Sequence, residues 1–159
     1  MIQAPEVEFR DARIDAGDGR LLAQAMREEI NVIYPSHDLE GEDMPRAGHA
    51  ELSPPGGVFL VGYHEGRPVC CGGVKRLGPD TCELKRMYLV PDLRGRGVAR
   101  RLLIVLEDKA RELGYTVARL DTGPAQHSAR ALYESAGYLP IANFNANPVA
   151  NFWGEKPLA

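Results

Sequence analysis

The stretch Glu83–Leu106, ELKRMYLVPDLRGRGVARRLLIVL, decides the fold of this chain. Its first part, residues 83–90, has the composition of a β-strand, and Pro91 ends that strand because proline cannot donate to a ladder of hydrogen bonds. The following residues, 93–97, are Leu-Arg-Gly-Arg-Gly and form a tight basic loop. From Val98 onward, apolar residues recur at helical spacing. The stretch therefore predicts a strand, a glycine-rich loop and a helix, in that order.

The loop between this strand and this helix predicts a phosphate-binding site. The first N–H groups of a helix lack partners inside the helix and bind anions, and glycines let a phosphate approach the main chain. A P-loop would require Gly-Lys followed by Ser or Thr, which the loop lacks, and Arg100 occupies the place of the third small residue of a dinucleotide fingerprint. Asp121 stands where a ribose-binding acid would be expected, so a dinucleotide-binding fold remains an alternative.

The composition indicates one globular domain over residues 1–159, with 44% hydrophobic and 26% charged residues. The net charge of −3 argues against nucleic acid as a partner, because phosphate backbones require basic surfaces. With neither a signal peptide nor an apolar run long enough to span a membrane, we expect a cytoplasmic protein with no membrane partner. The three cysteines, Cys70, Cys71 and Cys82, lack metal-ligand spacing, so we expect reduced core residues and no metal.

Hydrophobic periodicity predicts the remaining elements. The expected helices begin near Asp18 and at Ser128, and the expected strands are residues 7–9, 58–63, 69–77, 116–120, 138–142 and 151–156. The strand at 116–120 should run parallel to the strand at 83–90, since a helix separates the two. We therefore predict an α/β (α+β) fold with a mixed, mostly antiparallel sheet of six to seven strands and helices on both faces.

The segment 36–57 is long, acidic and rich in glycine and proline. Loops of this length are usually functional, and a short helix around Met44–Ala47 would reduce the irregular part. The acids of the segment include Asp38 and Glu40. They form either a solvated surface or a wall that attracts a cationic amine.

Three motifs resemble the GNAT superfamily of acetyl-CoA-dependent N-acetyltransferases. Arg94, Gly97 and Ala99 match the R/Q-x-x-G-x-G/A signature that follows a strand and opens a helix. Residues 131–138, ALYESAGY, resemble the late helix of the family and the strand after it. Glu83, eleven residues before Arg94, stands where several branches place a catalytic glutamate. Further segments resemble a bacterial branch of stand-alone or regulator-fused acetyltransferases, so the resemblance covers most of the chain.

The resemblance implies acetyl-CoA as the cosubstrate. Its phosphates would bind at the basic loop and the start of the next helix, at Arg94, Gly95, Arg96, Gly97, Val98, Ala99 and Arg100. The pantetheine would pair with the backbone of Met87, Tyr88 and Leu89, and the Leu89 N–H would polarise the thioester carbonyl. Many members of the family have Asn six residues before the late-helix tyrosine. Here that residue is His127, which either contacts the coenzyme or lies in solvent.

The resemblance also implies two residues that transfer protons. Glu83 would accept the proton of the acceptor ammonium, directly or through water, unless an ion pair with Lys85 makes its role structural. Tyr133 would protonate the departing thiolate, unless its ring is an ordinary core residue or solvent supplies the proton. Strand alternation predicts that Glu83, Lys85, Met87 and Leu89 share one face, barring a bulge.

For the acceptor, the resemblance implies an entrance opposite the coenzyme, with a wall formed by Tyr34, His37, Asp38, Phe144 and Asn145. These groups suit a primary amine of a small molecule or peptide, and the net negative charge favours cationic amines. We therefore expect an N-acetyltransferase that acts by direct ternary-complex transfer, as a monomer or homodimer. The alternative is a catalytically silent acyl-CoA-binding sensor, which would need the phosphate-binding loop but neither Glu83 nor Tyr133.

Overall fold

The computed structural model describes residues 4–159, which form a seven-stranded sheet with three α-helices. In chain order the elements are β1 (Glu8–Asp11), α1 (Gly17–Ile33), β2 (Val58–His64), β3 (Arg67–Arg76), β4 (Thr81–Leu89), α2 (Val98–Glu112), β5 (Val117–Thr122), α3 (His127–Ser135), β6 (Leu139–Pro140) and β7 (Phe152–Pro157). A single 3-10 turn, Pro91–Leu93, follows β4. No helix within residues 4–159 is long and apolar enough to cross a membrane.

The strands lie in the order β1-β2-β3-β4-β5-β7-β6, and every neighbouring pair is antiparallel except β4 with β5. Strands β2, β3 and β4 form a meander with short turns, which delivers β4 to the middle of the sheet. The pair β4–β5 is parallel because α2 carries the chain back across the sheet. The predicted mixed, mostly antiparallel sheet is confirmed.

Different helices cover the two faces of the sheet. On one face, α2 and α3 pack side chains such as Val98, Leu102 and Tyr133 against the strands. On the other face, α1 packs Leu22 against β2 and β3, and Leu52 of the long loop extends this layer. Full burial of a leucine side chain contributes about 1.5–3 kcal/mol to stability. The structure confirms the prediction of helices on both faces.

Two local predictions were wrong. The segment around Met44–Ala47 forms no helix and is held by turns, while Met44 and Ala47 are themselves buried. Met44 packs with Ile30 of α1, so apolar contacts rather than helical hydrogen bonds hold this part of the loop. The strand predicted at 138–142 is reduced to Leu139–Pro140, although the Ile141 N–H still donates to the Trp153 carbonyl of β7 at 2.8 Å.

Strands β4 and β5 separate soon after they begin. Only Thr81, Cys82 and Glu83 pair with β5, whereas β5 continues alongside β7 as far as Thr122. Over residues 84–89, the edge of β4 that faces β5 therefore has no strand partner within residues 4–159. A wedge-shaped gap opens in the sheet, with Glu83 at its closed end, and the candidate site is built around this gap.

Candidate active site

The glycine-rich loop follows the end of β4 and leads into α2. Gly95 and Gly97 have φ of 77° and 86°, a left-handed conformation that glycine adopts without steric cost. The backbone N–H groups of residues 95–100 donate to no acceptor in the described part of the chain. The positive end of the α2 dipole adds to their potential. The loop thus presents a row of free donors suited to phosphate oxygens.

Arginine side chains fix and flank this loop. Arg94 donates from Nε to the Leu89 carbonyl at 3.0 Å and from Nη2 to Glu29 at 2.8 Å, which ties the loop to β4 and α1. Arg100 donates to Ser135 Oγ of α3 at 2.6 Å. The structure therefore brings the predicted phosphate-binding residues together at the start of α2, and their contact with the coenzyme stays a prediction.

A β-bulge interrupts β4. Between Cys71 and Gly73 of β3 the register shifts by one residue, so that Arg86 and Met87 both lie opposite Gly72. Arg86 has φ of 59°, in the left-handed region that is uncommon for residues other than glycine. A bulge of this kind re-aims the side chains that follow it.

The bulge changes which residues of β4 share a face. The side chains of Met87 and Leu89 pack on the α2 and α3 side of the sheet, as do Cys82 and Leu84 before the bulge. Glu83 alternates with its neighbours and lies on the opposite, α1 side, together with the Lys85 that it contacts. The prediction that Glu83, Lys85, Met87 and Leu89 share one face was therefore wrong, because the bulge adds one residue to the alternation.

The end of β4 presents backbone groups to the gap. The Val90 N–H donates to the Val69 carbonyl at 2.9 Å, which makes Cys70 and Leu89 a non-hydrogen-bonded pair of the antiparallel ladder. In such a pair the N–H and C=O groups point away from the neighbouring strand. The Leu89 N–H consequently points away from β3, toward the gap, where it is available to a ligand.

Tyr133 reaches the gap from α3. Its side chain is 8% exposed, and its hydroxyl lies 3.7 Å from Met87 Sδ. Burial raises the pKa of Tyr133 well above its usual range, and the charge of Asp121 adds to this effect. The phenol therefore stays protonated at neutral pH, and its O–H is available as a proton donor.

Glu83, at the closed end of the gap, has 0% exposure. Its Oε2 accepts from Asn145 Nδ2 at 2.8 Å and lies 3.3 Å from Lys85 Nζ, while its Oε1 has no partner within residues 4–159. Asn145 Nδ2 also donates to Asp121 Oδ2 at 2.6 Å, and Asn147 donates to the same oxygen at 3.0 Å. One amide thus joins two carboxylates, and Lys85 balances part of their charge.

A small cavity of about 70 Å³, the inner cavity, occupies the gap. Its walls include Met87 of β4, Asp121 of β5 and Tyr133 of α3. Glu83 is not among the described residues that line it. The carboxylate that faces the inner cavity is therefore that of Asp121, and Glu83 lies behind it.

A larger cavity of about 560 Å³, the outer cavity, lies between α1 and the segment 39–51. The residues that line both cavities are Leu39, Met44, Pro45 and Arg86. The two cavities are therefore neighbours across this wall, and Arg86 borders both.

The five predicted acceptor residues lie near these cavities, but none of them is among the described residues that line either one. Asp38 forms a bidentate ion pair with Arg27 at 2.6 and 2.8 Å, which lowers the pKa of Asp38 to about 2. His37 Nδ1 lies 2.8 Å from Asp43 Oδ2. The polar groups of Asp38 and His37 are thus already paired within their own part of the molecule.

The other predicted contact residues surround the gap. The Tyr34 hydroxyl accepts from the Ala125 N–H at 3.1 Å, next to His127, the first residue of α3. Phe144 packs under Arg119, with the guanidinium 5.4 Å from the ring centre. Contacts of these residues with an acceptor, and of His127 with a coenzyme, stay predictions.

Sequence reasoning missed the positions of Arg86, Asp121 and Asn147 in this site. Asp121 was considered only as a ribose-binding acid, and Arg86 and Asn147 were given no role. The alternation of asparagines at 143, 145 and 147 was a signal that these amides act together. Arg86 left no signal, because neither glycine nor proline marks the bulge that places it.

Free thiols and metal ligands play no visible part in the site. Cys70, Cys71 and Cys82 are free and buried, and burial raises the pKa of Cys70 and of Cys82 to about 12. Buried protonated thiols are poor nucleophiles. Within residues 4–159, no group of His, Cys, Asp and Glu residues could hold a metal ion.

Comparison with known proteins identifies the family. The family described as acetyltransferase (GNAT) matches residues 23–138. The chain belongs to the GNAT acetyltransferase family. An IAA acetyltransferase of Azospirillum brasilense is 37% identical over 144 residues, which cover 86% of this chain and 88% of that protein. The uncharacterized N-acetyltransferase YjgM of Escherichia coli is 38% identical over 92 residues, so the match spans 56% of this chain and about half, 55%, of YjgM.

Solved structures share the GNAT fold over nearly the whole chain. A Klebsiella pneumoniae protein provisionally classed as an acyl-CoA N-acyltransferase has a TM-score of 0.75 and 28% identity, covering 96% of this chain and 98% of that one. The PaiA N-acetyltransferase of Thermoplasma acidophilum, solved in complex with coenzyme A, has a TM-score of 0.67 and 16% identity, covering 96% and 99%. The predicted family, fold and acyltransferase class are confirmed.

Proposed function

We propose that this GNAT acetyltransferase moves the acetyl group of acetyl-CoA directly to a primary amine in the gap between β4 and β5. One observation carries the proposal: a backbone donor and a protonated phenol converge on the same gap. The Leu89 N–H points toward the gap, and Tyr133 lines the inner cavity. An acyl transfer needs a donor for the developing oxyanion and an acid for the leaving group.

The coenzyme would bind along β4 and the start of α2. The free N–H groups of residues 95–100, with Arg96 and Arg100, would bind its phosphates. The unpaired edge of β4 would pair with the amides of the pantetheine, as an added strand would. The two sites are continuous along the chain, since Arg94 fixes the loop directly to the Leu89 carbonyl. The complex of PaiA with coenzyme A shows that the same fold holds this ligand in that protein.

The reaction would proceed in one complex, with every atom accounted for. The amine nitrogen attacks the thioester carbonyl carbon, and the Leu89 N–H stabilises the oxyanion that forms. The attached nitrogen, which now carries a positive charge, gives up a further proton to solvent. The carbon–sulfur bond then breaks, and Tyr133 donates its phenolic proton to the departing thiolate. The products are an amide and free coenzyme A, and solvent reprotonates Tyr133. The buried thiols of the chain have no role in this route.

The proton of the attacking ammonium would pass to the pair of carboxylates at the gap. Glu83 would be the base, acting through a water at its unpaired Oε1, because it does not line the inner cavity. Asp121 would attract the ammonium and orient it, since its carboxylate faces the cavity. Asn145 and Lys85 hold the pair in place.

Release of free thiol from acetyl-CoA, screened over amino acids, amino acid amides, polyamines, aminoglycosides and peptide N-termini, tests the proposal. We expect acetyl-dependent turnover with some of these amines and an N-acetylated product by mass spectrometry. The protein's own thiols are buried and should contribute no background. Tight coenzyme binding without turnover on any amine would contradict the proposal and favour a silent acyl-CoA sensor.

A further inference from the structure

Arg86 is a half-buried guanidinium without an anionic partner. It lies in the bulge of β4 and lines both the inner and the outer cavity. Within residues 4–159, its side chain makes one hydrogen bond, from Nη2 to the Leu39 carbonyl at 3.3 Å, and no carboxylate lies within 4.0 Å of it. Burial lowers the pKa of Arg86, which reflects the cost of removing its charge from water. Buried arginines are normally paired, so a ligand is the expected source of this partner.

The other charges of the outer cavity have partners or lie in solvent. Arg27 contacts Asp38 and Glu40 at 2.6 and 3.0 Å. Asp15 accepts from the arginine two residues before it at 2.8 Å. The charged residues at 20, 42 and 46 are exposed, and the half-buried Glu51 accepts from the Gly48 N–H at 2.9 Å. Arg86 is therefore the half-buried cation of this cavity that forms no ion pair in the described part of the chain, and Glu40, Asp121 and Glu83 act on it only from beyond 4.0 Å.

We propose that Arg86 binds a carboxylate of the acceptor, so that the acceptor is an amino acid or a related amine with a carboxylate close to its amino group. This inference rests on the proposed function, because it names the acceptor class of the same site. The planar guanidinium presents two parallel N–H donors that match a carboxylate, and a charge-assisted pair of this kind is stronger than a neutral hydrogen bond.

The position of Arg86 sets the spacing between the two groups of the acceptor. Arg86 and Asp121 both line the inner cavity, whose volume is about 70 Å³. A carboxylate on Arg86 and an ammonium near Asp121 would therefore share one small cavity. An α-amino acid has this short spacing, with its ammonium toward Asp121 and its side chain in the outer cavity. A polyamine has no group that would balance Arg86.

A carboxylate also fits the cavity better than a phosphate does. A phosphate monoester carries about −1.5 to −2 charges at neutral pH. The outer cavity is lined by four acidic residues and four arginines, so its formal charge is already zero and a second negative charge would have no cation to offset it. The acids are Asp15, Glu40, Glu42 and Glu51, and the arginines are at 20, 27, 46 and 86. A carboxylate brings one negative charge, which is enough to form an ion pair with Arg86.

The test compares acceptors that differ only in the carboxylate. L-methionine and L-phenylalanine are assayed beside their carboxamides, with release of free coenzyme A thiol as the readout. We expect kcat/KM for the amino acids to exceed that for the carboxamides about tenfold or more, as a charge-assisted hydrogen bond implies. In Arg86→Gln this ratio should fall to near one, mainly through KM. Arg86→Lys should restore part of it, because lysine keeps the charge but not the planar fork.

Arg10→Gln is the matched control. Arg10 lies on the edge strand β1, lines neither cavity, and should keep the wild-type ratio when substituted. Equal kcat/KM for amino acids and carboxamides in the wild type would overturn the inference, and so would an unchanged ratio in Arg86→Gln. A preference for O-phosphoethanolamine over β-alanine would also overturn it, in favour of a phosphate ligand.

A second measurement does not depend on turnover. N-acetyl-L-methionine should raise the Tm of the wild type in the presence of coenzyme A more than its carboxamide does, and this difference should vanish in Arg86→Gln. If this difference in Tm is found but no amine is acetylated, the proposed function is contradicted and the carboxylate site is supported. Acetylation without the difference in either assay would support the function and overturn the carboxylate site. If the Arg86 variants do not fold, the inference is judged from the wild type alone, by its kcat/KM for amino acids against carboxamides and by its Tm with N-acetyl-L-methionine against the carboxamide.

Discussion

At the level of single residues, the proposed proton chemistry depends on the two carboxylates that Asn145 joins. Glu83 is fully buried, and a buried carboxylate is costly unless it is paired. Lys85 at 3.3 Å and the Asn145 amide supply that pairing on Oε2, while Oε1 stays without a partner among the described residues. A carboxylate oxygen left unpaired inside a protein is an expected place for a water or a substrate proton.

Substitution of Glu83 by Gln distinguishes two roles of this residue, a base in catalysis and a structural ion-pair partner of Lys85. If Glu83 accepts the ammonium proton through water, Glu83→Gln should lower kcat/KM about 100- to 10,000-fold and remove the acidic limb of the pH profile. Asp121→Asn should raise KM for the amine but keep that limb, because its proposed role is to attract the ammonium. Steady-state kinetics of both variants across pH measure these effects.

The reverse result would reassign the base. If Glu83→Gln kept the acidic limb and Asp121→Asn lost it, Asp121 would be the proton acceptor and Glu83 a structural partner of Lys85. Urea unfolding of each variant is the control, since an isosteric amide at either position leaves the packing of Asn145 in place but removes a charge.

At the level of elements, the end of β4 and the start of α2 form the proposed coenzyme-binding unit. The bulge in β4 turns Met87 and Leu89 toward α2 and α3, while Glu83 stays on the α1 side. The proposed proton acceptor, Glu83, and the proposed proton donor, Tyr133, therefore approach the gap from opposite faces of the sheet, as a base for the amine and an acid for the thiolate should. The loop after β4 then places the free N–H groups of residues 95–100 at the end of the same strand.

A charge placed in this loop should abolish coenzyme binding. Gly97 has φ of 86°, and among residues 4–159 a Cβ there would meet only Ala4, at 3.5 Å, so an added side chain meets backbone strain but little crowding from the described residues. Gly97→Asp would put a carboxylate among donors that face the phosphates, and we expect its Kd for acetyl-CoA to rise about a hundredfold or more by isothermal titration.

Gly97→Asn is the matched variant for this prediction. Asparagine is similar in size and tolerates the left-handed backbone, so it carries much the same strain without the charge. We expect Gly97→Asn to weaken binding far less than Gly97→Asp does. Equal losses in the two variants would attribute the effect to backbone strain and count against the phosphate-binding role of the loop.

At the level of the whole molecule, the buried thiols make the free energy of unfolding depend on pH in the alkaline range. Burial raises the pKa of Cys70 and of Cys82 to about 12 and raises that of Cys71 as well. In the unfolded chain a thiol titrates near pH 8.5. Between the two values the unfolded state binds fewer protons than the native state, so the free energy of unfolding falls as pH rises.

Removal of one thiol should make this fall smaller. From pH 8 to pH 10 each buried thiol should lower the free energy of unfolding by about 2 kcal/mol. Cys82→Ala should therefore lose about 2 kcal/mol less than the wild type over this range, measured by urea unfolding under reducing conditions. Because all other groups are common to both proteins, equal losses would mean that Cys82 titrates in the fold as it does in the unfolded chain.

Much of the fold and the family follows from the sequence by itself. Local composition and periodicity predict the strand, loop and helix of residues 83–106, because proline, glycine and apolar spacing act within a few residues of one another. The meander of β2, β3 and β4, the parallel return to β5 and the helices on both faces follow from the order of these elements. The positions of Arg94, Gly97 and Tyr133 were likewise evident from their motifs.

Only the tertiary structure decided which of these groups meet. The bulge at Arg86 depends on how β3 and β4 pair, and local sequence carries no mark of it. Asn145 reaches Glu83 and Asp121 across 62 and 24 residues of chain, a contact that strand order and loop packing create together. Asp38 was predicted to contact the acceptor, but in the structure it forms an ion pair with Arg27 of α1. Such contacts depend on long-range packing, where one residue of register decides the face on which a side chain lies.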